Sequence, residues 1–99
     1  MAIPSYEPIA SQYAKSVATV QTLIGLGFTQ AQIDGADQAL ITVEGAAVRY
    51  TLDGTTATTS TGHPAAIGAN LTLNGNKLFN NIQIIGTGAT VNVTLERFI

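Results

Sequence analysis

Asp53, Ser60 and His63 bring the residue types of a hydrolase triad within eleven positions of one another. A working triad is recognised by geometry and draws its members from separate elements, and no Gly-x-Ser-x-Gly elbow is present, so the grouping reads as chance composition. His63 is the only histidine and the chain has no cysteine. A zinc site wants three or four ligands, which one imidazole cannot supply without thiolates or clustered carboxylates. Asp34-Gly35-Ala36-Asp37 resembles the start of a calcium loop but lacks the alternating oxygen ligands and closing Glu, and reads as a turn with Asx caps. Gly86-x-Gly88 opens no predicted helix and so matches no phosphate-binding loop. Asn70-Leu71-Thr72 and Asn92-Val93-Thr94 match the N-glycosylation sequon, yet both fall inside predicted strands and read as outward polar positions. The expectation is a chain with no catalytic centre, no metal and no cofactor.

The elements that would position these residues are mostly strands, because Thr, Gly, Asn and β-branched residues stand where helix formers would otherwise be. Ala39, Ile41 and Val43 alternate onto one face, and Val48, Tyr50 and Leu52 do the same after Gly45-Ala46. A two-residue type II′ turn at Gly45-Ala46 sets every inward residue opposite an inward partner, which predicts a hairpin. Asp53-Gly54 is a turn, with the Asp53 carboxylate capping it and pairing with an outward Arg49; Thr51 shares that outward face. Thr55–Gly62 is a polar loop that His63-Pro64 continues. Asn70–Leu73 is a strand stopped by an Asn74-Gly75 hairpin turn, Leu78-Phe79 and Ile82–Ile85 form another, and Val91, Val93 and Leu95 point inward on the last. Ser16–Ile24 fits a strand by its β-branched residues and a helix by the spacing of Tyr13, Val17, Val20 and Ile24; the strand is favoured. One helical turn is expected near Thr29–Ile33, with Thr29 as cap. Short strands separated by turn signals predict an all-β, single antiparallel β-sandwich over residues 16–99. Residues 1–15 carry two prolines and no clean period, and read as an extended N-terminal arm able to reach ~50 Å.

The chain has 99 residues, 10% of them charged, and a net charge of −2. So few charges leave no electrostatic footprint for nucleic acid or an anionic membrane. No stretch approaches the ~18 apolar residues of a membrane span, and Met1–Pro8 lacks the basic and apolar regions of a signal peptide. A small, apolar-rich, weakly charged chain is suited to being covered by neighbours, which predicts self-association as a dimer or trimer. On the arm, Ile3, Tyr6, Ile9 and Tyr13 are isolated apolar and aromatic residues that need a groove to fill; they are the candidate partner-binding residues, the alternative being that the arm packs back on its own sandwich.

The block from Ala36 to Thr55, with Ala39-Leu40-Ile41-x-Val43-Glu44-Gly45 followed by Val48-Arg49-Tyr50-x-x-Asp53-Gly54-Thr55, resembles one recurrent in small structural proteins of tailed bacteriophages. Gly62, Leu71-Thr72-Leu73, Leu78, Ile82–Ile85 and Val91–Phe98 continue the likeness, which covers about residues 30–99. Arg49-Tyr50-x-x-Asp53-Gly54-Thr55 also looks like a turn in the immunoglobulin-like domain that ends some chitobiases. The chain departs from both at Ala57, where the usual proline is absent. The resemblance implies a jelly-roll-like sandwich acting as a non-enzymatic capsid cement (decoration) protein, with the major capsid protein as partner. Its place would be the capsid surface of the virion, and the host cytoplasm during assembly. The alternatives are a tail, baseplate or fibre module, or a carbohydrate-binding sandwich, against which the absence of Trp and the predicted inward Tyr50 weigh.

Overall fold

Strict alternation decides the centre of the molecule. In β7 (Thr90–Phe98), Val91, Val93 and Leu95 are fully buried while the residues between them remain half-exposed. Strand β2 (Gln38–Glu44) buries Ala39, Ile41 and Val43 in the same way. A computed structural model describes residues 5–99 of the chain. The other elements are β1 (Tyr6–Ser16), α1 (Leu23–Leu26), α2 (Gln30–Asp34), β3 (Val48–Thr51), β4 (His63–Ala65), β5 (Asn70–Asn74), α3 (Asn76–Asn81) and β6 (Gln83–Ile85). They form an all-β sandwich of two antiparallel sheets, one ordered β1-β7-β2-β5 and the other β4-β3-β6. The inner faces meet over Ile41, Ile84, Val91, Val93 and Leu95, and Phe79 and Ile33 close the same core.

The expected hairpin at Gly45-Ala46 is not formed. Gly45 has the positive φ, 82°, that the turn reading requires, but the chain crosses there from one sheet to the other. Both edges of β2 are taken by β7 and β5, and β3 pairs with β4 and β6. Val43 and Val48 both point inward because the inner faces of two sheets meet, an arrangement with the same parity as a hairpin. Asn74-Gly75 is not a hairpin either. Gly75, with φ 112°, leads into α3, so Leu78 and Phe79 are helical. The Asn80 and Asn81 side chains there donate to the Asn76 and Lys77 carbonyls one turn back.

The strand expected over Ser16–Ile24 shrinks to Ser16 and an isolated bridge from Gln21 to Ile84. Thr22 caps α1, a single turn whose Leu23 and Leu26 are buried. The helix that the spacing of Tyr13, Val17, Val20 and Ile24 would give is not formed either, since Tyr13 lies in β1 and Ile24 is exposed. Thr29 caps α2 as expected, with Gln32 returning the hydrogen bond to the Thr29 amide. His63-Pro64 belongs to an edge strand rather than a loop, a position where a missing N–H is tolerated.

The segment read as an extended arm packs on its own sandwich: from Tyr6 to Ser16 it is the edge strand β1 paired along β7. No boundary separates residues 15 and 16 in this fold. The physical reason is that β7 would otherwise present an open edge, and β1 brings Ile9 and Ala10 against the core as it covers that edge.

Gly45 and Gly68 both have φ near +80°, but an added Cβ at Gly45 would lie 2.7 Å from the Gly88 carbonyl oxygen, whereas none of the chain lies within 4 Å of one at Gly68. Urea denaturation should show Gly68→Ala costing about 1 kcal/mol, the left-handed penalty alone. Gly45→Ala should cost roughly 2–4 kcal/mol, since a backbone clash adds to that penalty. Equal losses would place the sheet crossing elsewhere.

Candidate functional site

The outward face of the four-stranded sheet is built by the residues that alternate with the core. From β7 it receives Asn92, Thr94, Glu96 and Phe98, from β2 Gln38, Leu40 and Thr42, and from β1 Tyr6 and Ser11. Three pairs of its polar side chains satisfy one another, while Asn70, Thr72 and Asn74 of β5 stand exposed on it. The Ser11 and Thr94 hydroxyls lie 2.9 Å apart, Asn92 Nδ2 donates to Thr42 Oγ1 at 3.1 Å, and Gln38 Nε2 donates to Glu96 Oε1 at 2.7 Å. At one end the Tyr6 and Phe98 rings pack with centroids 4.8 Å apart, beside the Glu7–Arg97 ion pair.

Two bulges aim β1. The first inserts Ile9 between Pro8 and Ala10. The second sets Tyr13 and Ala14 opposite Asn92, whose Oδ1 accepts the Ala14 N–H at 2.8 Å. Ala14 is the only non-glycine residue with positive φ, 53°, among the described residues. The bulge throws Tyr13 outward, 67% exposed. Its phenol is held below its ordinary pKa by the Ser11 hydroxyl first and the Thr94 hydroxyl second.

Of the four residues expected to bind a partner, Tyr6 and Tyr13 therefore stand on this face. Ile9 instead packs half-buried against the core of its own sandwich, so it is not available as an anchor. Ile3 lies outside the described residues. Phe98, Leu40, Ser11 and Thr94 complete the face and were not singled out in the sequence. The signal for them was present in the alternation of β2 and β7, whose outward positions are as regular as the inward ones.

A shallow cleft of about 420 Å³ opens at the far end of β3, lined by Thr51, Leu52, Asp53, Thr55, Thr61, Gly62 and His63. Asp53 caps its own turn by accepting the Thr55 N–H at 3.1 Å. The Thr55 hydroxyl and then the Thr55 amide hold its carboxyl below the usual carboxylate range, with a lesser contribution from nearby His63. Arg49 does not pair with Asp53; its Nη1 donates to the Gly62 carbonyl at 2.8 Å and ties β3 to the end of the loop. Thr51, expected outward, is buried, its hydroxyl donating to the Thr55 carbonyl. Tyr50 is half-buried, its ring 5.4 Å from that of His63. Ser60 does not line the cleft; its hydroxyl faces Thr58 at 3.4 Å. Asp34 accepts from Gln30 Nε2 and Asp37 from the Phe98 N–H, both at 2.8 Å, so the two carboxylates brace separate elements. Among the described residues no group of three or more His, Asp or Glu side chains converges.

Comparison with known protein families, with curated proteins and with solved structures finds no match for this chain.

Thr55→Val removes the first cause of the Asp53 shift, so the Asp53 carboxyl should titrate closer to its ordinary value when followed by carbon NMR. The native value is depressed. Its stabilising contribution is therefore present above the unfolded value and lost as pH falls through the folded one. The variant should lose less stability than the native chain over that acid window. An unchanged Asp53 titration would mean that the capped turn is not formed in solution.

Proposed function

We propose that this protein is a structural component of a tailed-bacteriophage virion, a cement protein that lies on the outer capsid surface and braces contacts between major capsid protein subunits. The observation that carries the reading is the outward face of the four-stranded sheet. Ser11 with Thr94, Asn92 with Thr42 and Gln38 with Glu96 are already paired across its three strands β1, β7 and β2, so covering that part strips few unsatisfied groups of water. Tyr6, Phe98 and Tyr13 stand among them as aromatic anchors of the kind that dominates interface energies. Glu96, held by Gln38, and Glu44 at the end of β2 are the charges among the outward residues of β2 and β7. Many symmetric copies on one shell need only modest affinity each.

Two further observations support the same reading. The block that resembles phage structural proteins runs from the end of α2 through β2 and β3, so it spans the crossing between the sheets. The strand order β1-β7-β2-β5 against β4-β3-β6 supports a jelly roll, with the Gln21 bridge to Ile84 standing where an eighth strand would pair with β6. A carbohydrate-binding reading is favoured by the cleft at Asp53 and His63, which offers hydroxyls and a carboxylate beside the Tyr50–His63 ring pair.

Quantitative mass spectrometry of purified particles should find the protein at a copy number comparable to that of the major capsid protein. A few copies per particle would move it to the tail or baseplate, and absence from particles would overturn the proposal. Tyr13→Ala should leave the thermal midpoint unchanged, because that ring is exposed, yet weaken co-sedimentation with capsids by roughly tenfold or more. Undiminished co-sedimentation would remove this face from the interface. Binding on a glycan array abolished by Asp53→Ala, without capsid binding, would favour the carbohydrate reading.

A further inference from the structure

The two edges of the four-stranded sheet are treated differently. Strand β1 carries Pro8, two bulges and Lys15, devices that spoil an edge for further pairing. Strand β5, at the opposite edge, is Asn70-Leu71-Thr72-Leu73-Asn74, with no charge, no proline and an unbroken register against β2. That sequence reads identically in both directions about Thr72.

Its hydrogen bonding has a definite parity. Val43 N–H donates to the Ala69 carbonyl at 3.1 Å and Gly75 N–H to the Asp37 carbonyl at 3.4 Å, at the two ends of the β2–β5 ladder. Bonded pairs alternate with non-bonded ones along an antiparallel ladder. Leu71 and Leu73 therefore bond to β2, while Asn70, Thr72 and Asn74 turn their N–H and C=O groups to the open edge. None of these outward groups has a backbone partner beyond its own strand ladder among the described residues. Their side chains are exposed, and Ile67, 61% exposed, stands in the turn that leads into the strand.

We infer that β5 is the interface between two copies of this chain, paired antiparallel about a two-fold axis through Thr72. In that register Thr72 faces the second copy's Thr72, and each Asn70 faces the other copy's Asn74. All three outward-bonding positions meet outward-bonding positions, so every open N–H and C=O finds a partner. Leu71 meets Leu73 on the inner side, and no like charges oppose one another. Two four-stranded sheets become one continuous sheet of eight, and the interface is isologous, as a closed dimer requires. The inference is independent of where the protein works, since it uses only the edge of the sheet.

The full-length chain should sediment as a dimer in analytical ultracentrifugation. Thr72→Lys sets like charges face to face at the axis, and Thr72→Pro deletes an outward N–H while leaving the bonds to β2 in place. Each should raise the dimer dissociation constant roughly tenfold or more. Directly opposed, hydrogen-bonded residues lie about 5.5 Å apart at Cα, within disulfide reach. Because the chain has no cysteine of its own, Thr72→Cys should give a covalent dimer on mild oxidation while Thr87→Cys, in an exposed turn, should not. A monomer at every concentration, a dimer unaffected by Thr72→Lys, or equal cross-linking at the two positions overturns the inference. These outcomes are read without capsids, so they are separate from any failure of the virion proposal.

Discussion

Burial of one face of β7 between two flanking strands is the constraint on which the rest of the structure depends. Val91, Val93 and Leu95 are fully buried while β7 pairs with β1 on one side and β2 on the other. The pairing joins the two ends of the described chain, with Tyr6 opposite Phe98. Such non-local contacts demand loop closure before they return any stability. Closure is offset by the apolar area that β7 removes from water, at about 25 cal/mol per Å². Once β7 is seated, the outward residues of β1, β7 and β2 have no freedom of position, and the Ser11–Thr94 and Asn92–Thr42 pairs follow.

The chemistry available to the molecule reflects that arrangement. Ser11 with Thr94, Asn92 with Thr42 and Gln38 with Glu96 are engaged on the sheet face, and the carboxylates of Asp34, Asp37 and Asp53 cap or brace local structure. A face built this way offers shape and aromatic surface for the proposed contact with a capsid. The open edge at β5 presents backbone groups instead, and so favours another strand over a small molecule. One face and one edge of the same sheet can then be occupied together, which suits a protein placed among many copies.

Much of this is legible in the sequence, and each departure has its own physical cause. Inward residues of β2, β5 and β7 follow from period-two alternation, as do the Thr29 cap and the Asp53 turn from local hydrogen-bond chemistry. What alternation does not carry is the identity of the partner strand. Val43 and Val48 face inward equally well in a hairpin and across two sheets, so alternation predicts a hairpin where the chain in fact crosses at Gly45. At Gly75 a positive φ suits a helix entrance as well as the hairpin turn that Asn74-Gly75 suggests. The N-terminal segment lacked a period because two bulges each shift its register by one residue, which scrambles the alternation that β1 otherwise keeps. Tyr6 and Tyr13 were found as isolated aromatics, while Phe98 and Leu40 were hidden among ordinary outward positions.

Hydrogen–deuterium exchange of the full-length chain, resolved by NMR at single amides, tests the seating of β1 on β7 most directly. The account predicts that the ladder-facing amides of β1 around Ala10–Gln12 exchange as slowly as those of Val91–Leu95, because the two strands open together. Exchange of the β1 amides at open-chain rates while β7 stays protected would contradict it, and would leave the N-terminal segment outside the sandwich.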